Sequence, residues 1–363
     1  MGEPLRIGMV GAGTISGAYL ETLARLRNVA LTAVTDLDPG RAASVAARVP
    51  GAVAVGSVAE LVARNDVDAV LNLTVPAAHA EVALAALAAG KHVYGEKPFT
   101  TTREEADALL AAASGGGGGG LRLGCAPDTV LGTGVQTARK AVDDGLIGVP
   151  VAATAFMTTA GHERWHPAPE FYYRPGGGPL LDMGPYYLSA LVHLLGPVTE
   201  VTGAASRPRA EREIGGGPRA GERFGVEVDT HVSGVLRHAG GALTTLLMSF
   251  DVHAARLPRI EVHGTGGSLS VPDPNHFEGP VEFHGPEGGW EPLPVSAGYP
   301  GAGRGTGLAD LATALAEGRP HRASAEVARH VLDVMLTLLD AAREGRALPV
   351  ASGCERPEPV ALA

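Results

Sequence analysis

The sequence of 363 residues predicts an α/β protein with two domains: a parallel-sheet domain, then an α/β domain on a large, mostly antiparallel open sheet. Up to about residue 125, short apolar runs alternate with alanine-rich helical segments, which is the pattern of βαβ units. Beyond Pro150, short alternating runs separated by glycine-rich turns replace that pattern, as antiparallel strands do. We therefore predict domains over residues 1–125 and 126–363.

Composition narrows the class of protein. The formal net charge of −10 argues against a nucleic-acid partner, since phosphate binding needs a basic surface. The two cysteines, Cys125 and Cys354, predict neither a disulfide framework nor a metal site. No apolar run approaches the roughly 20 residues of a membrane span, and the first predicted strand starts too early to leave room for a signal peptide. These features predict a cytoplasmic protein without a membrane or metal partner.

The first elements predict a dinucleotide site. A strand over residues 5–10 leads into Gly11-Ala12-Gly13-Thr14-Ile15-Ser16-Gly17, and a helix is predicted over 18–27. Gly11 allows the tight turn, Gly13 lets the backbone approach a pyrophosphate, and the helix N-terminus supplies N–H donors. A second strand, 30–35, ends in Asp36, close to the usual offset for a carboxylate that binds the ribose hydroxyls. No arginine follows directly, which favours NAD over NADP; a turn-capping role for Asp36 is the alternative.

A further βαβ unit directs a lysine to the same edge of the sheet. Two helices are predicted over 41–48 and 58–64, with a strand over 53–55 between them. The unit itself then consists of a strand at 70–73, a helix over 77–89 and a strand at 92–94, and it leads into Glu96-Lys97-Pro98. Ligands bind beyond the carboxyl ends of such strands, so Lys97 is expected to face a binding crevice. Thr74 and Pro76 would lie under the nicotinamide half, and His79 is either a cofactor contact or a packing residue.

The remaining elements complete the two domains. A helix over 103–113 ends in a glycine run, 115–120, which predicts a flexible connection before a last strand at 121–125. A helix is expected over 134–144. The second sheet takes the runs 151–158, 198–206, 226–237, 242–250, 259–263 and 268–271, with the polar segment 207–223 as a long loop. Helices over 308–317 and 324–343 close the chain.

Three motifs together resemble one family. They are GAGTISG at residues 11–17, GKHVYGEKP at 90–98 and GGGPLLDMG at 176–184, with CAPDT, WHP, FYY and GPYY segments between or after them. This combination resembles the glucose–fructose oxidoreductase / inositol dehydrogenase (Gfo/Idh/MocA) family of NAD(P)-dependent oxidoreductases. The resemblance implies a Rossmann domain and a second domain that assembles homodimers or homotetramers through its sheet. It also implies oxidation or reduction of a carbinol carbon in a sugar or cyclitol.

The resemblance also implies site residues. The lysine of the family's Glu-Lys-Pro motif matches Lys97, and the aspartate after its glycine run matches Asp182. The histidine that usually follows four residues later is replaced by Tyr186, and we expect Lys97, Asp182 and Tyr186 to be catalytic. Because Asp182 and Tyr186 are four residues apart at the start of a helix that Pro185 is expected to open, the two side chains could share a face. The expected cofactor contacts are Gly11, Gly13, Thr14, Ile15, Asp36, Thr74, Pro76, His79, Glu96 and Lys97. The expected substrate contacts are Lys97, Asp128, His162, Trp165, Asp182 and Tyr186.

The group that moves the proton stays open among three candidates. Tyr186 could act as a phenolate favoured by neighbouring positive charge. Lys97 could transfer the proton while Tyr186 only binds the sugar. A base could also come from the segment around His162, because histidine is the commonest general base. Asp128 could reach a substrate hydroxyl or only cap a helix, and Trp165 could stack on a sugar ring or pack in the core.

The sequence therefore predicts an NAD-dependent dehydrogenase that acts on a secondary hydroxyl of a sugar, glycoside or cyclitol. Two alternatives remain. One is glycoside cleavage or elimination through a keto-sugar with NAD recycled, and the other is a non-catalytic regulator that binds NAD or a sugar. Lys97 and Asp182 argue against the regulator, because a protein that only binds these ligands needs neither residue.

Overall fold

The computed structural model describes residues 3–115 and 120–362, so residues 116–119 of the predicted glycine connection lie outside the described part. The chain divides into two compact units. The first comprises Met1–Leu131 and Gly301–Arg329, and the second comprises Gly132–Pro300 and His330–Ala363. The predicted division at residue 125 had assigned everything after that point to the second domain.

Within the described residues, the strands are β1 (Leu5–Val10), β2 (Val29–Thr35), β3 (Val53–Ala54), β4 (Ala69–Asn72), β5 (His92–Gly95), β6 (Leu123–Cys125), β7 (Pro150–Thr158), β8 (Val198–Ser206), β9 (Glu211–Glu213), β10 (Arg223–Gly225), β11 (His231–His238), β12 (Leu243–Ser249), β13 (Ile260–Gly264), β14 (Gly267–Val271), β15 (Glu282–His284), β16 (Glu291–Pro292) and β17 (Leu348–Pro349). The α-helices are α1 (Ser16–Leu23), α2 (Pro39–Arg48), α3 (Val58–Val62), α4 (His79–Ala88), α5 (Arg103–Gly115), α6 (Thr133–Asp143), α7 (Pro179–Leu195), α8 (Thr306–Glu317) and α9 (Ala325–Glu344). None of these helices combines the length and the apolar surface needed to cross a bilayer.

The first unit contains a parallel sheet in the order β3-β2-β1-β4-β5-β6. Its central strand β4 is buried on both faces, as the apolar run at 69–71 predicts for a sheet covered by helices. Local signals set the helix ends: the Asp38 carboxylate accepts from the Gly40 N–H at the start of α2, with Pro39 in the first turn. The strand order reverses between β1 and β4, so the loops after these strands flank the switch point where dinucleotides bind.

The segment 301–329 belongs to the first unit because its backbone groups form hydrogen bonds with residues from the N-terminal part of the chain. The Cys125 N–H donates to the Ala323 carbonyl at 3.0 Å. The Asn28 side chain donates to the Ala309 carbonyl at 2.9 Å. The Asp128 carboxylate accepts from two N–H groups at the start of α8. Such contacts join residues about 180 to 280 positions apart, which no local pattern indicates.

The second unit contains a mixed sheet in the order β16-β15-β14-β13-β7-β12-β11-β8-β17. The β12–β7 pair is parallel and the other pairs are antiparallel. Gly203 and Gly234 face α9, where a Cβ at either position would lie 2.6 Å from Leu338 Cδ1. The predicted class, a parallel-sheet domain followed by a mostly antiparallel open sheet, is confirmed.

Three predicted elements of the second unit differ from the structure by more than one or two residues. The loop expected over 207–223 includes β9, which pairs with β10 as an antiparallel hairpin. The strand expected from Val226 begins at His231. Helix α7 begins at Pro179 rather than at Pro185, because Gly178 enters the helix at φ +91° and proline fits the first helical position. Asp182 therefore lies in the first turn of α7, with Pro185 inside the helix.

Candidate active site

The loop after β1 has the geometry of a dinucleotide cradle. Gly11 has φ +96°, and a Cβ there would lie 2.7 Å from the Leu73 carbonyl oxygen, so only glycine fits. A Cβ on Gly13 would meet no protein atom within 4 Å. The open side of Gly13 and the exposed Thr14 and Ile15 lie at the N-terminus of α1, where N–H donors and the helix dipole favour a phosphate. The residues present therefore fit the pyrophosphate of a dinucleotide.

Asp36 is fixed at the carboxyl end of β2. Its Oδ2 accepts from the Ala12 N–H at 2.6 Å, and its Oδ1 accepts from the Asp38 N–H at 2.8 Å. An ionised carboxylate has about four acceptor positions, so each oxygen can accept a further ribose hydroxyl. The two backbone donors hold the carboxylate against the glycine loop, which suits the predicted role.

His79 is buried between two backbone carbonyl groups. Its Nδ1 lies 2.7 Å from the Pro98 oxygen and its Nε2 lies 3.0 Å from the Thr74 oxygen. The Thr74 hydroxyl in turn donates to Asn72 Oδ1 at 2.7 Å, and Pro76 begins a short 3₁₀ turn. Because protein carbonyls face both ring nitrogens, the packing interpretation is favoured: His79 ties the Thr74 loop to the segment that carries Lys97.

Glu96 supports the lysine that follows it. Glu96 is buried, and its two carboxylate oxygens accept from the Tyr19 hydroxyl at 2.8 Å and from the Lys97 N–H at 3.0 Å. Burial, together with the Glu96 charge, raises the pKa of Tyr19 well above its ordinary value, so the phenol keeps the proton that it donates. Lys97 is half-buried beyond the end of β5, and its peptide bond to Pro98 is cis.

Asp128 does not have the predicted substrate-facing position. Its side chain is fully buried, and Oδ2 accepts from the Gly305 and Gly307 N–H groups at 2.8 and 3.0 Å. Burial raises the pKa of this carboxyl group. The return of segment 301–329 places the start of α8 on this carboxylate, so Asp128 caps that helix rather than binding substrate.

In the second unit, His162 and Asp182 form a hydrogen-bonded pair. His162 Nε2 lies 3.0 Å from Asp182 Oδ2, and the two side chains are 12% and 16% exposed. Asp182 lies in the first turn of α7, where the helix dipole stabilises negative charge. An imidazole that donates to a carboxylate is oriented by it, and the resulting positive charge is stabilised when the imidazole takes a proton. The structure thus brings together two predicted site residues that are 20 positions apart.

Tyr186 lies one turn after Asp182 on α7. Its side chain is only 6% exposed, and the neighbouring Tyr187 is fully buried. Residues four apart share a helix face, so Tyr186 is on the same side of α7 as Asp182, as predicted. An imidazole does lie beside Asp182 in the structure, but it is that of His162, which comes from a different segment of the chain.

A buried ionic network, which the sequence did not indicate, immobilises the His162 segment. Arg212, from the hairpin strand β9, donates to Glu163 Oε1 at 2.8 Å and forms an ion pair with Asp251. Tyr173 donates to the other Glu163 oxygen and accepts from the His162 N–H at 3.1 Å. Burial and the hydrogen bond to Glu163 raise the pKa of Tyr173, which therefore stays protonated. Arg212 lies in the polar, glycine-rich segment 207–223, and nothing in its local sequence indicates that it is buried.

Aromatic rings surround His162. The ring centroids of Trp165, Tyr172 and Phe250 lie 5.3, 4.7 and 4.4 Å from that of His162. Trp165 is 61% exposed, so it is not a core residue. Among the described residues, no group of three or more histidine, cysteine or acidic side chains is arranged to hold a metal ion.

Comparisons with known proteins agree with this architecture. A family model described as "Oxidoreductase family, NAD-binding Rossmann fold" matches residues 5–118, and one described as "GFO/IDH/MocA C-terminal domain" matches residues 135–270. The 1,5-anhydro-D-fructose reductase of Ensifer adhaerens is 30% identical over 271 residues, which cover 73% of this chain and 74% of that protein. The myo-inositol 2-dehydrogenase of Thermotoga maritima is 28% identical over 273 residues, again 73% and 74%.

A solved structure supports the fold. An NAD binding oxidoreductase from Klebsiella pneumoniae superposes with a TM-score of 0.83 at 24% identity, over 97% of this chain and 100% of that one. The matched Rossmann model also confirms the prediction that NAD is the cofactor. When bound, NAD supplies the hydride chemistry, and this chain's residues supply binding, orientation and proton management.

Proposed function

The chain belongs to the GFO/IDH/MocA family of oxidoreductases, and we propose that it transfers a hydride between NAD and a secondary hydroxyl carbon of a sugar, glycoside or cyclitol. The names of the two curated relatives support this substrate class, since both proteins act on cyclic polyols or their keto forms. The observation that carries the proposal is the hydrogen bond between His162 and Asp182. Oxidation of a carbinol needs a group that accepts the hydroxyl proton, and this pair is suited to hold one.

The proposed roles follow from the groups available. Lys97, held by Glu96 beyond the end of β5, donates to the reacting oxygen and stabilises its developing negative charge. NAD held by the Gly11–Gly13 loop and Asp36 would supply the hydride acceptor, and the His162–Asp182 pair takes the hydroxyl proton of the carbinol. Tyr186 binds a substrate hydroxyl rather than moving the proton. Reduction of a ketone reverses each transfer.

The test compares four variants by NADH absorbance with a panel of aldoses, inositols and glycosides. His162→Gln and Asp182→Asn should each lower kcat by about 10²–10⁴-fold, the usual contribution of general acid–base catalysis. Lys97→Ala should lose activity to a similar degree, and Tyr186→Phe should retain kcat within about tenfold because its ring can still pack. Calorimetry should give the same Kd for NAD with His162→Gln as with the wild type.

His263→Gln is the matched control, because His263 is a partly exposed histidine of the same unit that hydrogen-bonds Ser268 on a neighbouring strand. Its activity should match the wild type. If Tyr186→Phe abolishes turnover while His162→Gln retains it, the proton-transfer role belongs to Tyr186. Sustained formation of NADH distinguishes a dehydrogenase from a cleavage reaction that recycles NAD.

The proposal includes a cytoplasmic homodimer or homotetramer that assembles through the open sheet. Helices cover one face of the sheet, whereas Phe156, Leu247 and Val235 lie on the other face in adjacent strands and stay partly exposed. An apolar patch of this kind on an open sheet is typical of a subunit interface. Sedimentation of the wild type and of Leu247→Glu would show whether the charge splits the assembly.

A further inference from the structure

One exposed surface of the second unit is unusually aromatic. Only 4% of the chain is aromatic, yet Trp165, Phe171 and Tyr172 occur in one short segment, close to the His162–Asp182 pair. Trp165 and Phe171 are 61% and 56% exposed. Large aromatic rings that only pack a core are buried, so their exposure beside a candidate active site indicates a ligand surface.

The rings form a continuous strip. From His162 the strip passes to Trp165 at 5.3 Å between centroids, from Trp165 to His166 at 5.4 Å, and from His166 to Phe171 at 5.3 Å. Tyr172 closes it, 4.7 Å from His162 and 4.0 Å from Phe171. We call these four rings beyond His162 the aromatic strip. Within the strip, Trp165 and Tyr172 contact His162 directly, and Phe171 is reached through Tyr172.

The aromatic strip is held rigidly at both ends. The Trp165 and His166 N–H groups donate to the His162 carbonyl at 3.2 and 2.9 Å, and the Tyr172 carbonyl accepts from the Gly178 N–H at 2.7 Å. Glu170, between the two ends, forms an ion pair with Arg219 at 2.6 Å. A preorganised surface loses little conformational freedom when a ligand binds.

We propose that the aromatic strip binds a second sugar ring, so that the substrate is a disaccharide or other sugar-bearing glycoside. This inference rests on the proposed function. A pyranose has an apolar C–H face that packs on the electron-rich face of an aromatic ring, and a hydroxyl rim that needs polar partners. His166 supplies one such partner: its Nδ1 accepts from the Ala168 N–H at 3.1 Å, so Nε2 is a donor. The reacting ring occupies the His162–Asp182 end, and the second ring covers Trp165 and Phe171.

The test uses tryptophan fluorescence, because the chain has only two tryptophans. The substitution Trp290→Phe removes the second tryptophan, which directly precedes β16 and packs against His284 of β15. Trp165 is then the sole fluorescent reporter. With NAD present, this variant is titrated with glucose, maltose and cellobiose, and with galactose, lactose and melibiose. At least one disaccharide should change the Trp165 emission saturably, with a Kd about tenfold or more below that of its monosaccharide.

Phe171→Ala in this background should raise the Kd of that disaccharide about tenfold and leave the Kd of the monosaccharide unchanged. Val295→Ala, which truncates a side chain of the same unit that is 55% exposed, is the matched control and should change neither. The inference is overturned if no disaccharide binds more tightly than its monosaccharide, or if Phe171→Ala weakens both equally. Emission that depends on protein concentration but not on sugar also overturns it, since a second copy of the chain would then cover the strip.

NADH absorbance in the same samples separates this inference from the proposed function. Oxidation of monosaccharides with no preference for a second ring refutes the sugar subsite and leaves the dehydrogenase intact. Tight, Phe171-dependent binding of a disaccharide without NADH formation supports the subsite and refutes the dehydrogenase.

Discussion

Replacing Arg212 tests whether the buried ionic network holds the His162 segment in place. The Arg212 side chain is 1% exposed, and its partners Glu163 and Asp251 are 6% and 11% exposed. The guanidinium also donates to the Phe250 carbonyl at 3.1 Å and lies 4.9 Å from the centre of the Tyr173 ring. Arg212→Met fills a similar volume but leaves two carboxylates in a site without a positive charge.

The expected loss of stability is about 3–5 kcal/mol, the usual result of removing one partner from a buried ion pair. Both tryptophans, Trp165 and Trp290, belong to the second unit, so their fluorescence during urea unfolding reports that unit. Arg237→Met is the control, because Arg237 pairs with Glu200 on the surface, where the two side chains are 55% and 47% exposed. That substitution should cost at most about 1 kcal/mol.

Glu163→Gln completes a double-mutant cycle. Since it removes one of the two carboxylates that Arg212 neutralises, combining it with Arg212→Met should cost less than the two single changes together. A coupling of about 1.5–3 kcal/mol is expected for groups in one network. A loss below about 1 kcal/mol for Arg212→Met, or strict additivity in the cycle, would refute the idea that this network stabilises the segment.

Two further predictions concern other parts of the chain. Gly13→Ala should raise the calorimetric Kd for NAD at least about tenfold and leave the melting temperature unchanged. Gly11→Ala should also destabilise the fold by about 1–3 kcal/mol, because residue 11 has φ +96° and a Cβ there clashes with the Leu73 carbonyl. Equal melting temperatures for the two variants would contradict this prediction. Burial lowers the pKa of His238, so the folded state binds fewer protons than the unfolded state below about pH 6.5, and stability should fall as the pH drops through that range. His238→Gln should show a shallower loss between pH 7 and 5.5 by the same fluorescence, and an identical pH slope would exclude that contribution.

The sequence predicted the first sheet well because its signals are local. A fingerprint between strand and helix, an aspartate at the end of the second strand and a lysine after the fifth strand each depend on residues within one βαβ unit. The hydrogen bonds of Asp36 fit its predicted role, whereas both carboxylate oxygens of Glu96, which was expected to contact the cofactor, accept from Tyr19 and Lys97. His79 shows the limit of such reasoning: its position on α4 left a cofactor contact and a packing role equally open, and only the structure shows that two backbone carbonyl groups from separate loops face its ring nitrogens.

The features that the sequence did not predict depend on contacts between distant segments. Asp128 follows a strand and precedes a helix, which suggested a ligand or a cap for that helix, yet its partners are Gly305 and Gly307. The segment 207–223 looked like a loop because glycine and charge dominate it, and no period marks Arg212 as buried. Whether such a residue is inside depends on its ionic partners, which lie about 40 to 50 positions away.

The tyrosine at position 186, where the family motif has a histidine, is connected with the buried network around Arg212. A histidine on α7 four residues after Asp182 would be placed by the helix alone, since residues four apart share a face. His162 instead begins a 3₁₀ helix of only three residues, so the position of its imidazole depends on other contacts, and the Tyr173 hydroxyl and Glu163 provide them. Glu163 in turn requires Arg212 from the β9–β10 hairpin. In the mechanism proposed here, the hairpin is therefore part of the catalytic apparatus: it fixes the segment that carries the imidazole, which makes a tyrosine at position 186 compatible with proton transfer at Asp182.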